Sequence, residues 1–423
     1  MGRSVLVVGG GGREHALAWG LARSASVDRL ASAPGNPGTA ELGPTHHLDV
    51  EDPGALADLA ERLGVELVVV GPEAPLVAGA VDELARRGIA AFGPSRAAAA
   101  IEGSKAFAKQ IMEAAGAPTG GYVATSDRAE AHTALERFAP PYVVKADGLA
   151  AGKGVRICPE LSEARDAVDD ALVRGAFGAA GKLVVVEEFL AGPERSVFGV
   201  CDGEDVVLLA PAQDYKRALD GDGGLNTGGM GAYSPVPGFD LDDVDGLREL
   251  VFRPVLRELA ARGTPYRGLL YAGLVDTVEG PRLLEFNARF GDPETQAILP
   301  RLASDLGELL WASATGSVAD QRPVWHDTAA VTVVLASGGY PGAYTTGHPI
   351  DGLAAAAAVE TALVFHAGTA TGPAGEVVTA GGRVLAVTAS GAEVNEARAR
   401  AYDAVGRITW EGRHVRSDIA AGV

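Results

Sequence analysis

The chain has 423 residues, 47% of them hydrophobic, with a formal net charge of −19. That length exceeds one ordinary domain and predicts two to four, and the acidic balance argues against nucleic acid or an anionic membrane as main partner. No apolar run reaches the roughly eighteen residues a transmembrane helix needs, and two cysteines (Cys158, Cys201) make no disulfide scaffold and fit a reducing cytosol.

The opening MGRSVLVVGG reads as a first β-strand, since its apolar run is short and leads straight into glycines. Residues 4–100 then alternate β-branched runs with helical stretches, which predicts a doubly wound parallel sheet with its loops at the strand C-termini. GGGG, APGN and GPEAP are the turns that cluster there. GGGGREHA (9–16) leaves a strand and opens a helix, so its backbone N–H groups could receive a phosphate. The dinucleotide fingerprint is incomplete, because Glu14 stands at the third-glycine position. A turn without a ligand stays open, and a site for a smaller phosphorylated substrate is preferred.

A helix from about Ser104 to Ala115 follows, with Ser104 able to cap it. Residues 117–190 read strand, helix, strand–loop–strand, helix, strand. In KADGLAAGKGV (145–155), five Gly or Ala residues lie between Lys145 and Lys153, so the backbone can approach an anion closely. The loop joins two strands and lacks GK[ST], which separates it from a P-loop and suits a flap over triphosphate. Lys145 and Lys105 are expected to neutralise phosphate charge. In LVVVEEFLAGPE (183–194), adjacent Glu187 and Glu188 point to opposite faces of a strand. The strand backbone could meet an adenine edge and Glu194 could accept from ribose hydroxyls.

Residues 191–325 are antiparallel in character, with hairpins at CDGED and TVEGPR. A Pro-containing stretch near 318–327 marks a boundary, and the remainder alternates VTVVLAS, a GGYPG turn, VFHAG, GGRVLAVTA and a last helix about 392–406. The most informative segment is LLEFNARFGDPE (283–294). Period-2 alternation puts Leu284, Phe286 and Ala288 on one face, with Glu285, Asn287 and Arg289 on the other, within about 14 Å at roughly 3.4 Å per residue. Hard oxygen ligands at i and i+2 suit Mg²⁺, and Arg289 would face developing anions. A buried Glu–Arg pair is the structural alternative, disfavoured because such pairs seldom help stability.

Together these segments resemble the ATP-grasp superfamily, most closely the glycinamide ribonucleotide synthetase (phosphoribosylamine–glycine ligase) family. GGGGREHALAW, APGN, GPEAPLVAG, EGSKAF, VVKADGLAAGKGV, EEFLAGPE, QDYKRALDGDGGLNTGGMGAYSP, LYAGL, LEFNARFGDPETQ, GGYPG, VFHAGT and GGRVLAVTA carry the resemblance in order along the chain. It implies an α/β multidomain fold. A phosphoribosylamine-binding domain would span 1–103 and an ATP-grasp domain 104–327, with 117–190 a flexible nucleotide-covering lobe and 191–327 a metal-bearing catalytic lobe. A C-terminal α/β domain would span 328–423, packed on the N-terminal one. It implies ATP-dependent ligation of glycine to 5-phosphoribosylamine through glycyl phosphate by a cytoplasmic monomer, with Mg²⁺ or Mn²⁺.

By the match, ATP would be held by Lys105, Lys145, Gly152, Lys153, Gly154, Glu187, Glu188, Leu190 and Glu194. The metal would be held by Glu285 and Asn287. Gly10, Gly12, Glu14, Asn36, Glu73, Asp214, Lys216 and Gly229 would contact glycine or phosphoribosylamine, with Arg289 orienting the acyl phosphate and acting with Lys145 in catalysis. The strand before the metal strand, LLYAGLV, lacks the carboxylate that related ligases place there, leaving water, phosphate, Asp292 or Glu294 to complete the shell. Cys158 and Cys201 lie outside every motif. Two alternatives remain: another ATP-grasp carboxylate–amine ligase of purine metabolism, and a nucleotide-binding regulator without turnover.

Overall fold

The first strand, β1 (Arg3–Gly9), is buried from Ser4 to Gly9 because helices cover both its faces. The structure is a computed structural model and describes residues 2–148, 154–239 and 241–423. β1, β2 (Val27–Pro34), β3 (Leu67–Val70) and β4 (Ala90–Phe92) form a parallel sheet in the order β2-β1-β3-β4. Between them run α1 (Gly12–Ala22), α2 (Pro37–Ala40), α3 (Pro53–Leu63), α4 (Glu73–Ala78) and α5 (Ala80–Arg86). Local chemistry sets their ends. The Asp52 side chain caps α3, and Gly64 closes it at φ 61°, a conformation that side chains avoid. The expected doubly wound sheet is present, with its glycine turns at one edge.

After α6 (Arg96–Gly103), Ser104 caps α7 (Lys105–Ala114) by accepting from Phe107 N–H. Next come β5 (Tyr122–Thr125), α8 (Arg128–Leu135), β6 (Tyr142–Ala146), β7 (Val155–Cys158), α9 (Leu161–Leu172) and β8 (Val184–Glu187), forming an antiparallel sheet in the order β5-β8-β6-β7. Its core, with Val144, Val168 and Val186, is separate from the main ones.

β9 (Glu194–Asp202) and β10 (Val206–Leu208) form the CDGED hairpin. Short β11 (Gln213–Asp214) leads into the hairpin of β12 (Arg217–Leu219) and β13 (Gly223–Asn226), then β14 (Gly231–Ser234). β15 (Arg267–Thr277) and β16 (Gly280–Asn287) complete a four-stranded sheet in the order β10-β9-β15-β16. Its Leu270, Leu283, Phe286 and Ala288 share one core with Leu6, Val68 and Leu76 of the first domain. β16 is therefore anchored on the N-terminal sheet.

The last sheet is assembled from two regions of the chain. β17 (Ala329–Ser337), β18 (Leu363–His366), β21 (Arg383–Gly391) and β22 (Arg413–Val415) come from beyond the Pro-containing stretch, with β19 (Thr369–Thr371) and β20 (Val377–Thr379) a separate hairpin. β14 pairs antiparallel with β17 and β11 with β14, giving the order β11-β14-β17-β21-β18 with β22 beside β17. Strands from the 191–325 block thus extend the C-terminal sheet, an arrangement that the boundary composition did not reveal. Among the described residues no helix is long and apolar enough to cross a membrane.

Candidate active site

β16 departs from simple alternation. Glu285 pairs with Gly273 and Leu283 with Leu274, so Leu284 is an extra residue opposite a single step of β15, a β-bulge. The bulge puts Leu283, with Phe286 and Ala288, in the core, while Leu284 is only partly buried. The expected face of Leu284 is corrected accordingly. Glu285 and Asn287 remain on the opposite face, half-buried. Neither side chain makes a hydrogen bond or ion pair within the described residues. A carboxylate and an amide oxygen left without protein partners are a donor set that fits a hard divalent cation. Among the described residues no group of three or more His, Cys, Asp or Glu gathers as a metal site. Asp292 is engaged by Arg383 at 3.1 Å and by Gln296 Nε2 at 2.8 Å, and buried Glu294 accepts from Tyr271 O–H at 2.8 Å.

Four lysines feel the Glu285 carboxylate: Lys105, Lys109, Lys145 and Lys216. Lys105, at the start of α7, donates to Gly148 O at 3.3 Å. Lys145 lies buried on β6 against Glu187 of β8. Burial works to lower its pKa, but Glu187 and Glu285 outweigh it and raise it. At Lys105 and Lys109 burial prevails and the pKa falls. Glu187 closes β8, whose four residues are all buried, and Glu188 lies exposed just beyond the strand and accepts from Gly121 N at 3.0 Å. Leu190 lies against Gly120, half-exposed beyond β8. Gly154 is buried and its carbonyl accepts from Ala146 N at 2.8 Å. Gly152 and Lys153 fall outside the described residues.

Glu194 and Lys216, expected in different subsites, form one ion pair at the mouth of this cluster, with Asp214 Oδ1 3.8 Å from the same ammonium. Burial pushes the Asp214 carboxyl up to about 7 against the pull of Lys216. The Lys216 ammonium is raised because Asp214, Glu194 and Glu285 outweigh burial.

Beyond Asn287 the chain bends, and Arg289 lies between Glu73 of α4 (Nε–Oε2, 3.4 Å) and Glu102 of α6 (3.1 Å). Its buried Nε faces Glu73 as an ion pair and makes no hydrogen bond. Burial raises the Glu102 pKa, while the cation of Arg289 helps lower that of Glu73 against its own burial.

The glycine loop closes around an acid. Gly11 N donates to Glu14 Oε2 at 2.7 Å, and Arg13 Nε meets Glu14 Oε1 at 2.5 Å. A Cβ at Gly12 would stand 2.8 Å from Gln296 Nε2, and one at Gly10 would stand 2.7 Å from Gly35 O. Glu14 therefore takes a helix N-terminal donor that a phosphate could have used. Asn36 is likewise committed: Oδ1 caps α2 and Nδ2 donates to Gly10 O and His366 O. Gly229, at φ 109°, sits where a Cβ would be 2.4 Å from Pro293 Cδ, so it lets the NTGGMG and GDPE loops touch.

With this geometry in place, the comparisons are decisive. Family models described as phosphoribosylglycinamide synthetase match the chain in three parts: N domain at 3–102, ATP-grasp (A) domain at 103–295 and C domain at 330–422. The chain belongs to the phosphoribosylglycinamide synthetase family. A phosphoribosylamine–glycine ligase of Streptomyces coelicolor is 56% identical over 421 residues, covering 99% of this chain and 98% of that protein. One from Rhizobium meliloti is 50% identical over 98% of this chain and 97% of its own length. The crystal structure of phosphoribosylamine–glycine ligase from Thermotoga maritima superposes with a TM-score of 0.85 at 34% identity, covering 99% of this chain and all of that one (100%).

For this member of the phosphoribosylglycinamide synthetase family, sequence reasoning missed Arg13, Glu102, Lys109 and Arg383. Arg383, first residue of β21, donates to Gly228 O and Asp292 O at 2.6 Å each. It ties the NTGGMG and GDPE loops to the C-terminal sheet. Arg13 stands inside GGGGREHA and Lys109 one helical turn beyond Lys105, signals that were available. Glu102 stands in EGSKAF and Arg383 in GGRVLAVTA, but neither segment shows the distant partner that the residue meets.

Proposed function

We propose that this chain ligates glycine to 5-phosphoribosylamine at the cost of ATP, giving glycinamide ribonucleotide, ADP and phosphate for purine biosynthesis. The observation that carries the reading is the run of Glu285, Asn287 and Arg289, with four lysines acting on Glu285 and with the Glu285 and Asn287 side chains making no hydrogen bond or ion pair among the described residues. In the first step a glycine carboxylate oxygen bonds the γ-phosphorus and the bond to the ADP oxygen breaks. In the second the amine nitrogen bonds the acyl carbon, the acyl–phosphate bond breaks, phosphate leaves and the nitrogen gives up a proton. No protein nucleophile is required; alignment and charge stabilisation carry both steps.

Lys105 and Lys145 hold the nucleotide phosphates, the backbone beyond Glu187 to Leu190 meets the adenine, and Glu194 meets the ribose. The 145–155 loop, with Gly152, Lys153 and Gly154, closes over the triphosphate and keeps water from the acyl phosphate. Glu285 and Asn287 hold the divalent cation, Mg²⁺ or Mn²⁺, which when bound adds positive charge beside the phosphates. Arg289 orients the acyl phosphate. Residues 1–103, with Gly10, Gly12, Glu14, Asn36 and Glu73, shape the phosphoribosylamine side, together with Asp214, Lys216 and Gly229. Residues 104–327 supply the ATP-grasp machinery, and 328–423 close the acceptor site through Arg383. The separate core of the 117–190 lobe supports its movement as a unit. The enzyme is a cytoplasmic monomer with no nucleic-acid or membrane partner. The test is ADP release with ATP, Mg²⁺, glycine and freshly generated phosphoribosylamine. Glycine-dependent ADP is expected, and its absence would remove the assignment.

A further inference from the structure

Glu187 carries one negative charge and lies between two ammonium groups. Lys109 Nζ is 2.6 Å from Oε2, and Lys145 Nζ contacts Oε1. The side chains of Lys109, Glu187 and Lys145 are 4%, 2% and 5% exposed, so water screens none of them. A lysine–glutamate pair alone would be neutral. Counted by direct contacts the trio carries one excess positive charge in a site shielded from solvent, with the Glu285 carboxylate acting on both lysines without touching either, and a further anion is favoured there. Lys109 has a second partner: its Nζ donates to Thr119 Oγ1 at 2.9 Å, and that hydroxyl donates to Leu283 O at 2.7 Å. Leu283 N in turn donates to Pro118 O at 2.7 Å. The contacts run without a break from Lys145 on β6 through Glu187 on β8, Lys109 on α7 and Thr119 to β16. They end at the residue before the bulge, two positions from Glu285.

We propose that Lys109 is a positioning residue that sets the charge of the nucleotide site: it neutralises Glu187 so that Lys145 meets the ATP phosphates with its full positive charge, and through Thr119 it holds the metal-bearing strand in register with that lysine. This rests on the ATP-dependent reading above. Lys109 does not touch the nucleotide itself; its effect is electrostatic and geometric.

The test measures ATP binding by titration calorimetry without glycine or phosphoribosylamine, alongside steady-state turnover. Loss of one charge a few ångströms from a phosphate in a partly desolvated site is worth about tenfold or more in affinity. Lys109→Met should weaken ATP binding by about that factor. The double variant Lys109→Met/Glu187→Gln restores the excess charge and should bind ATP about threefold or more tightly than Lys109→Met alone, a rescue that a packing role would not produce. A double variant no better than the single one overturns the charge role. Where the single variant does not fold, a folded double variant that binds ATP about tenfold more weakly than the parent overturns it equally. Thr119→Val breaks the link to β16 without changing charge. It should leave ATP affinity within about twofold while lowering kcat and raising the Mg²⁺ concentration for half-maximal turnover. Unchanged kcat and Mg²⁺ dependence overturn the register role. Absence of glycine-dependent ADP release by the unmodified enzyme counts against the functional reading alone, since the ATP-binding comparison is made without glycine.

Discussion

Arg289 is held by two carboxylates that enter from different helices, Glu73 on α4 and Glu102 on α6, and Glu102 also accepts from Ala288 N at 2.7 Å. The guanidinium is thus held at Nη1 by Phe290 O and at Nη2 by Glu102, while Nε, buried and 3.4 Å from Glu73, makes no hydrogen bond. A planar fork can satisfy both acids and still address an anion; a lysine ammonium cannot. Arg289→Lys should therefore lower kcat/KM for glycine and phosphoribosylamine by about tenfold or more, with ATP binding by calorimetry little changed. A loss confined to ATP affinity would contradict the role. At Glu285 the expectation is sharper. Glu285→Ala removes a half-buried carboxylate that makes no hydrogen bond or ion pair among the described residues, so turnover should vanish while the thermal unfolding midpoint holds within a few degrees. Retained activity would take the metal role away from this residue. The motif made Glu285, Asn287 and Arg289 legible because one short contiguous segment carries all three. Glu102 was illegible because its meaning lies in a contact 187 positions away in the chain, in an alanine-rich helix whose local pattern says only that it is amphipathic.

The elements that carry these residues were read from periodicity, and periodicity holds only where pairing is regular. From Glu285 to Ala288 alternation put each residue on its proper face. At Leu284 it failed, because a bulge is a property of two paired strands and the alternation of one strand does not show it. The same pairing explains the missing carboxylate in LLYAGLV. Gly273 lies directly opposite Glu285, and a Cβ there would stand 3.3 Å from Glu285 Cγ. The glycine lets the Glu285 side chain lie across its neighbour. Gly273→Ala favours the strand backbone by roughly 0.5–1 kcal/mol but pushes on the ligand. Stability should stay level or rise while kcat falls and the Mg²⁺ requirement increases, measured by thermal unfolding and metal titration of turnover. An alanine variant with unaltered metal dependence would show that the close approach is without consequence for Glu285.

At the scale of the whole molecule, three matched regions are visible in the sequence, but their interlocking is not. β11 and β14 join the C-terminal sheet because backbone pairing is blind to where a composition boundary falls, and Arg383 then reaches back to the loops that those strands border. The N-terminal and C-terminal domains meet at two histidines. His15 on α1 accepts a hydrogen bond at Nδ1 from His366 N–H at 2.8 Å, its ring stands edge-on to Phe365, and His366 Nδ1 contacts Thr369 Oγ1 at 3.1 Å. An imidazolium has no acceptor, so protonating His15 at Nδ1 breaks the contact between domains. Burial, then the neighbouring His366, lowers the pKa of His15 from 6.5 to about 3, and burial lowers His366 to about 4. Both values are depressed, so below pH 6.5 the unfolded chain binds protons that the folded one refuses. The stabilisation is present above pH 6.5 and is lost as the pH falls towards about 4 and then about 3, at roughly 1.4 kcal/mol per pH unit for each histidine. Urea midpoints at about pH 7 and about pH 5 should show the parent losing roughly 3 kcal/mol more than the His15→Gln/His366→Gln variant, which cannot titrate there. Equal losses in the two proteins would mean that these histidines do not control the acid stability of the domain junction.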